Sequence, residues 1–221
     1  MGKLYIVSTP IGNLQDITVR AVKILSSVDL VLCEDTRHTG LLLQKLNISA
    51  KLVPYYDEIE DKRIPEVIDW LENGKNIALV SDSGTPLISD PGFRLVRECV
   101  KRGIKVESIP GPSAALAALT SSGLPPDKFI FLGYPPEKQS ARLELFKKLS
   151  PNITTIFYCA PHKLATTLTD MKTVLGDLEI VVCRELTKIH EEIWRGRLTN
   201  AISHFKAPKG EFVVLFNIPQ A

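Results

Sequence analysis

The sequence has little net charge and few cysteines, and each shortage excludes a class of protein. Its 221 residues include 27 basic and 25 acidic side chains, which leaves a formal net charge of +2 at pH 7. Proteins that bind nucleic acid through bulk electrostatic attraction carry a larger basic excess, so any RNA contact must come from a local patch. The four cysteines are far apart and form no C-x-x-C pair. This spacing favours buried, reduced thiols over disulfides or metal ligands.

Long apolar runs and clustered histidines are also missing. No stretch approaches the roughly 20 apolar residues of a membrane span, and the apolar run at the N-terminus is too short for a signal peptide. We therefore expect a cytoplasmic protein with no membrane partner. The four histidines are spread apart, and His190 lacks the i, i+4 histidine of a zinc helix. No metal site is expected.

The glycine-rich loops that bind phosphate are absent. The sequence contains no G-x-x-x-x-G-K-[ST] motif, and no G-x-G-x-x-G follows its first predicted strand. Those motifs exist because backbone amides and a helix N-terminus must cradle phosphate. Ser83 is not surrounded by the G-x-S-x-G of a nucleophile elbow either.

What the sequence does contain is an alternation of short β-rich runs with longer amphipathic stretches. In the first half the predicted strands are residues 4–8, 30–33, 51–55, 77–81 and 105–109, and the predicted helices are 17–26, 40–46, 63–73 and 92–102. Continuous apolar strands that alternate with helices predict a parallel sheet covered on both faces. The first half is therefore predicted to be an α/β domain.

Proline and glycine interrupt this pattern at residues 111–126, and we place a domain boundary there, between 1–111 and 112–221. After it the predicted strands are 129–133, 154–159, 179–184 and 211–217, and the predicted helices are 113–120, 142–149, 163–169 and 198–205. The sequence thus predicts two α/β domains. The second is mildly basic, with 13 basic and 10 acidic residues, which is a weak indication of RNA binding.

Five predicted strands end in turns that contain proline, at Pro10, Pro86, Pro110, Pro135 and Pro161. Ligands of open α/β sheets bind at the carboxyl ends of the strands. Proline turns expose carbonyls and lack an amide donor, which suits a neutral adenosyl group joined to a positive sulfonium better than it suits phosphate. The turns therefore favour S-adenosylmethionine, although α/β proteins also need such turns as plain connections.

Two charged clusters follow predicted strands, and each has two interpretations. The EDTRH segment at 34–38 is consistent with an active site, or with acidic residues that cap the next helix. The RELTK segment at 184–188 is consistent with an active site or with an exposed ion-pair network. Asp82 and Asp90 flank a long loop, and turn capping is the favoured role for this carboxylate pair.

Five motifs in fixed order carry a resemblance to a known family. They are VSTPIGNL at 7–14, CEDTRHTG at 33–40, VSDSGTPLISDPG at 80–92, IPGPSA at 109–114 and RELTK at 184–188. Together they resemble the ribosomal RNA small subunit methyltransferase I family, a branch of the tetrapyrrole methylase superfamily. The resemblance runs from residue 4 to about 216, nearly the whole chain. The EDTR element in particular separates this branch from the enzymes that methylate tetrapyrroles.

The resemblance implies a fold, a cofactor and a substrate. The fold is that of the tetrapyrrole methylases, with a Rossmann-like parallel sheet in the first domain and a mixed sheet in the second. It implies a homodimer that holds S-adenosylmethionine in the cleft between its domains. The implied reaction is 2′-O-methylation of a cytidine ribose in the decoding region of 16S rRNA, as free RNA or in the assembled 30S subunit, with no DNA partner.

The resemblance also assigns residues to roles. The positions that match the family's cofactor contacts are Pro10, Ser83, Gly84, Thr85, Ile88, Ser113, Ala114, Tyr158, Arg184, Glu185 and Leu186. A ribose hydroxyl attacks only as it loses its proton, and a positioned base contributes about 10²–10⁴-fold to that step. The candidate catalytic residues are Glu34, Asp35 and Glu185 as bases and Lys188 as a cation for the oxyanion, and the candidate RNA contacts are Arg37, His38 and Lys188.

Two other functions stay open at this point. One is a superfamily relative that methylates a small molecule such as a tetrapyrrole. The other is a ribosome assembly factor that binds the cofactor without catalysis. Family members often continue beyond the strand that follows Lys209 with a small extension; if it holds RNA, recruitment here is expected to use the two domains or a protein partner.

Overall fold

The computed structural model describes residues 1–220, which divide into two compact units. The first unit is Met1–Ser113, and the second begins at Ala114. The break falls inside the segment in which proline and glycine interrupt the sequence pattern. Each unit contains one five-stranded sheet.

The first unit is a parallel sheet with helices on both faces. Its strands are β1 (Lys3–Val7), β2 (Leu30–Cys33), β3 (Leu52–Pro54), β4 (Ile77–Leu79) and β5 (Lys105–Ile109), and its helices are α1 (Val19–Leu25), α2 (Thr36–Lys45), α3 (Asp57–Glu72) and α4 (Phe93–Lys101), with a 3₁₀ turn at Leu14–Asp16. The strand order is β3-β2-β4-β1-β5, and every pair is parallel. β2 and β4 are buried at every position, because central strands of such a sheet have helices above and below.

The two faces of this sheet have separate cores. Leu32 and Leu79 point to one face, where Leu71 of α3 and Leu95 of α4 cover them. On the other face α1 and α2 pack against the side chains that alternate with these along the strands. The Rossmann-like parallel sheet expected from the sequence is therefore confirmed.

Two helices of the first unit begin earlier than the sequence pattern predicts. α2 begins at Thr36 and not at residue 40, because Asp35 caps it with a side chain that accepts a hydrogen bond from the Arg37 amide at 2.8 Å. α3 begins at Asp57 and not at residue 63, and an acidic first turn favours this start. Pro65 accordingly lies inside α3, whereas the sequence pattern predicts it in the first turn.

The second unit contains a mixed sheet. Its elements are α5 (Ala114–Ser122), β6 (Phe129–Phe131), α6 (Gln139–Lys147), β7 (Thr154–Cys159), a 3₁₀ turn at Pro161–Lys163, α7 (Leu164–Leu175), β8 (Glu179–Arg184), β9 (Glu192–Arg197), α8 (Leu198–His204) and β10 (Phe212–Asn217). The order is β6-β7-β10-β8-β9; β6 and β7 are parallel, and the other pairs are antiparallel. Phe157 and Phe216 anchor a core that α7 and α8 close with Leu168 and Leu198.

Strand β9 is absent from the sequence-based prediction. Its segment, EIWRGR, contains three charged residues and Gly196, which weakens a strand signal. It forms an edge strand on β8 all the same, with Trp194 packed on the core. The predicted helix at 163–169 is also too short, since α7 continues to Leu175.

The four cysteines are buried free thiols, as their spacing in the sequence predicts. Burial raises the pKa of Cys33, Cys99 and Cys159 to about 11 and that of Cys183 to about 12. All four are therefore protonated at neutral pH. Among residues 1–220, no helix combines the length and apolarity that crossing a membrane requires.

Candidate active site

The candidate site of the first unit lies at the carboxyl edge of its parallel sheet. β1 and β4 are neighbours, yet the chain leaves β1 towards β2 and leaves β4 in the opposite direction, towards β5. Such a reversal is a topological switch point, where open α/β sheets bind ligands. The turns after β1, β4 and β5 carry the predicted cofactor residues Pro10, Ser83, Gly84, Thr85, Ile88 and Ser113.

Hydrogen bonds join these three turns. Thr9 and Gly84 exchange backbone hydrogen bonds in both directions, at 2.8 and 3.2 Å. The Thr85 hydroxyl donates to the Pro112 carbonyl at 2.9 Å and lies 3.1 Å from the Ser8 hydroxyl. The structure therefore brings the Pro10, Gly84–Thr85 and Ser113 segments together, although about 100 residues separate the first from the last.

Backbone conformation fixes the long loop between β4 and α4. Gly84 has φ +85°, and a Cβ there would lie 3.3 Å from Ile11. Leu87 and Ser89 also adopt positive φ, at +72° and +69°. Residues without the freedom of glycine hold such angles only where the surroundings enforce them. The exposed side chains of Ser83 and Ile88 therefore stand on a rigid loop.

Glu34 and Asp35 are adjacent in sequence but occupy opposite environments. Glu34 is half-buried, accepts a hydrogen bond from the Asp82 amide and has the carboxylates of Asp90 and Asp82 nearby. Burial and these like charges raise its pKa to about 7. Burial and the neighbouring carboxylates raise the pKa of Asp90 to about 6 as well.

The Asp35 carboxylate lies on the solvent side and forms an ion pair with Arg37. Both its oxygens accept hydrogen bonds from the Arg37 guanidinium, at 3.2 and 2.9 Å, and Oδ1 also accepts the Arg37 amide. These bonds lower the pKa of Asp35 to about 2. Arg37 and His38 are exposed on the first turn of α2, and the Arg37 side chain is 89% exposed.

The second charged cluster forms a clamp in the second unit. Lys188 Nζ donates to Glu185 Oε1 at 3.0 Å and to Glu211 Oε2 at 2.9 Å, while the Glu211 amide donates to Glu185 Oε1 at 2.9 Å. Glu185 and Thr187 have positive φ, at +50° and +66°. The clamp therefore holds a strained loop against the segment before β10.

Charge pairing sets the protonation states in this clamp. Burial works against ionisation of Glu185, but the Glu211 amide and the Lys188 ammonium outweigh it and lower the pKa of Glu185. Burial similarly opposes the charge on Lys188, and the two carboxylates outweigh it and raise the pKa of Lys188. At neutral pH Glu185 is therefore ionised and already bound by the Lys188 ammonium and the Glu211 amide, and Lys188 is protonated.

The other predicted cofactor residues of the second unit lie on different elements of that unit. Arg184 donates through Nε to the Lys209 carbonyl at 2.8 Å, and Leu186, in the loop after β8, is buried. Tyr158 lies at the end of β7 and is half-buried. Ala114 begins α5.

The donor set fits S-adenosylmethionine and not a phosphate ester. The turns at residues 8–13, 81–92 and 110–113 present hydroxyls, carbonyls and carboxylates and contain no lysine or arginine. This composition suits a sulfonium cation and neutral adenosine. In the described chain, residues 1–220, no group of three His, Cys, Asp or Glu side chains is arranged to hold a metal ion.

Several positioning residues were not predicted from the sequence. Turn capping was the role predicted for Asp82, yet its Oδ1 accepts the Asp35 amide of another strand's turn, at 3.3 Å. Buried Glu60 accepts hydrogen bonds from the Tyr55 hydroxyl at 2.7 Å and the Gly92 amide at 3.2 Å, which anchors the far end of the long loop. The sequence pattern gave no signal for Glu60, which lies before the predicted helix at 63–73.

Comparisons with known proteins show the family of the chain. Residues 3–202 match the model of the Tetrapyrrole (Corrin/Porphyrin) Methylases. The chain is 47% identical over 219 residues to the Ribosomal RNA small subunit methyltransferase I of Thermotoga maritima, covering 98% of this chain and 99% of that one. It is 50% identical over 219 residues to the protein of the same name from Synechocystis sp., covering 97% of this chain and 78% of that one.

Solved structures share the fold at lower identity. The crystal structure of uroporphyrin-III C-methyltransferase from Thermus thermophilus superposes with a TM-score of 0.70 at 21% identity, covering 99% of this chain and 96% of that one. The same enzyme complexed with S-adenosylhomocysteine gives a TM-score of 0.69 at 16% identity, covering 98% of each chain. The chain belongs to the tetrapyrrole methylase family and, within it, to the ribosomal RNA small subunit methyltransferase I branch.

Proposed function

We propose that this chain transfers the methyl group of S-adenosylmethionine to the 2′-hydroxyl of a cytidine in the decoding region of small-subunit ribosomal RNA. The observation that carries the RNA substrate is the identity of 47–50% with relatives named as small-subunit rRNA methyltransferases, over 97–98% of the chain. The structures named as uroporphyrin-III methyltransferases share only 16–21% of its residues. A tetrapyrrole substrate is therefore disfavoured.

The bound cofactor supplies an electrophilic methyl group, and this chain's residues supply position and proton transfer. In the first unit Pro10, the Ser83–Thr85 segment, Ile88 and Ser113 would hold it. In the second unit the proposed contacts are Ala114, Tyr158, Arg184, Glu185 and Leu186. The hydrogen bonds of Thr9 and Thr85 hold the three turns that carry the contacts of the first unit against one another.

Among the candidate bases, Glu34 is the one we propose. A base works best when its pKa lies near the operating pH, and the pKa of Glu34 is about 7. Asp35 holds Arg37 and has a pKa of about 2, so it is a weak base. Glu185 is held by Lys188 and the Glu211 amide, and Lys188 is protonated.

The remaining candidates take other roles in this proposal. Asp35 orients Arg37 at the start of α2, where Arg37 and His38 are exposed and meet the RNA. Lys188 and Glu185 fix the loop that carries Arg184 and Leu186. The proposal includes the homodimer, the cytoplasmic location and the assembled 30S subunit as the form of the substrate.

The test is methyl transfer from radiolabelled S-adenosylmethionine to small subunits and rRNA isolated from cells that lack this protein. We expect label in one cytidine, located by nuclease digestion and mass spectrometry, and more label in subunits than in free rRNA. Label in a tetrapyrrole and not in RNA would support the small-molecule alternative. Cofactor binding with no transfer to either would support a non-catalytic assembly factor.

A further inference from the structure

A pocket in the second unit lies mostly outside the proposed cofactor contacts. It lies between the turn after β6 and the turn after β7. Its lining includes Tyr134, Pro135, Tyr158, Ala160, His162 and Lys163. Of these only Tyr158 is a proposed cofactor contact.

Tyr134 gives this pocket an exposed aromatic ring. The side chain is 60% exposed, and its ring packs edge-on against Tyr158, with centroids 5.6 Å apart and planes at 63°. Tyr158 packs in the same way against Phe131, at 4.8 Å and 66°. A ring that is supported at its edge and open to solvent is suited to stack on a nucleobase.

Two basic residues of the pocket are candidates to contact a ligand. Lys163 and His162 line it, and neither forms an ion pair with any residue of the described chain. Lys188 and Lys147, in contrast, are engaged by carboxylates. Glu137 is the one acidic side chain in the lining, and it is exposed. A single unpaired lysine beside an aromatic ring fits one phosphate next to one base.

A buried ion pair holds the turn that carries Tyr134. Arg142 Nη1 donates to the carbonyls of Pro136 and Glu137 at 2.9 and 3.0 Å, while its Nε donates to Asp170 at 2.8 Å. The side chains of Arg142 and Asp170 are 6% and 5% exposed. Arg142 therefore uses its hydrogen-bond donors within the protein and anchors the turn. A turn that is already fixed loses little conformational entropy when it binds a ligand.

We propose that this pocket binds one unpaired nucleotide of the RNA substrate, with its base stacked on Tyr134 and its phosphate on Lys163. Proteins recognise unpaired RNA by such stacking combined with backbone charge. A chain with a net charge of +2 needs a local site of this kind. This inference rests on the proposed function, because it assumes that RNA is the substrate and adds which nucleotide contact the second unit makes.

The experiment measures binding of a fluorescein-labelled, unstructured 12-nucleotide RNA to the full chain at several salt concentrations. Tyr134→Ala is expected to weaken the Kd about tenfold, in line with the loss of one base–aromatic stack, and Tyr134→Phe is expected to bind like the wild type. Lys163→Ala is expected to reduce the slope of log K against log salt by about 0.7, the value for one phosphate of a single strand. Calorimetric binding of S-adenosylmethionine is expected to stay within about twofold for all three variants, since none removes a proposed cofactor contact.

Three results would overturn the inference. RNA affinities of Tyr134→Ala and Lys163→Ala equal to that of the wild type would exclude the pocket as an RNA site. Weaker cofactor binding with unchanged RNA binding would assign the pocket to the cofactor. Equal losses of RNA affinity in Tyr134→Phe and Tyr134→Ala would exclude stacking.

Methylation by the wild type separates this inference from the proposed function. If the wild type methylates rRNA while these variants bind RNA normally, only this inference fails. If the wild type methylates no RNA, the proposed function fails, whatever the binding data show.

Discussion

The backbone amide of Asp35 donates a hydrogen bond to Asp82 Oδ1 at 3.3 Å, and so ties the turn after β2 to the turn after β4. This bond keeps the Asp82 carboxylate beside Glu34, whose pKa it helps to raise. The fixed position of Asp82 thus helps to set the pKa of Glu34, the proposed base.

The first prediction concerns the pH dependence of methyl transfer. Only ionised Glu34 accepts a proton, so kcat/KM for the RNA is expected to rise with pH and level off above about 7. Asp82→Asn removes one negative charge and retains the oxygen that accepts the Asp35 amide. The midpoint of the profile is therefore expected to move to lower pH, as measured by initial rates with labelled cofactor over a pH series on both sides of neutrality.

The control for this profile is Glu34→Gln. It is expected to lower kcat by about 10²–10⁴-fold and to remove the rise near neutral pH, while cofactor affinity stays unchanged. An unaltered profile in Glu34→Gln would exclude Glu34 as the base.

A second prediction follows from the same pKa values and concerns stability. In the unfolded chain Glu34 ionises near its usual 4.5, whereas in the folded protein it keeps its proton up to about pH 7. The folded state therefore binds more protons in this interval, and its stability falls as the pH rises from 4.5 through 7. Glu34→Gln stays neutral and is expected to be about 1–2 kcal/mol more stable than the wild type at about pH 8.

The measurement is urea denaturation of both proteins at about pH 4 and about pH 8. The gain is expected to shrink towards zero at the lower pH, where Glu34 is largely protonated in both states. A gain of equal size at both pH values would mean that packing, and not ionisation, explains it.

A third prediction concerns the clamp of the second unit. Gly210 has φ +91°, and a Cβ there would lie 2.5 Å from Glu185 Cγ, Cδ and Oε1. Gly210→Ala is therefore expected to displace Glu185 and the loop of Arg184 and Leu186. Because these are proposed cofactor contacts, the KM for S-adenosylmethionine is expected to rise roughly tenfold or more.

Gly123→Ala is the matched control for this variant. Gly123 has φ +83°, but a Cβ added there would meet no atom within 4 Å, so it shares the backbone strain of about 1 kcal/mol without the collision. Its KM is expected to equal that of the wild type. Equal KM values for the two alanine variants would contradict the proposed role of the clamp.

The sequence predicted some of these features and not others, for physical reasons. The parallel sheet was predictable because β2 and β4 are continuous apolar runs between helices. β9 was not, because an edge strand buries little and its sequence is largely polar. Glu34 and Asp35 could be proposed together, but their neighbours in sequence do not distinguish a base from a helix cap. That distinction depends on Asp82 and Asp90, which only the fold brings to Glu34.

The last prediction concerns the buried pair of Arg142 and Asp170. Removing one partner of a buried ion pair leaves an uncompensated charge and costs about 3–5 kcal/mol. Asp170→Ala is expected to lower the free energy of unfolding by that amount, measured by urea denaturation. The double variant Arg142→Met/Asp170→Leu is expected to recover most of the stability, because no buried charge remains. It also lacks the hydrogen bonds from Arg142 to the Pro136 and Glu137 carbonyls. We therefore expect the double variant to be stable but to bind the RNA probe more weakly than the wild type, because the turn that carries Tyr134 has lost its anchor. A double variant that binds RNA like the wild type would contradict the anchoring role of Arg142.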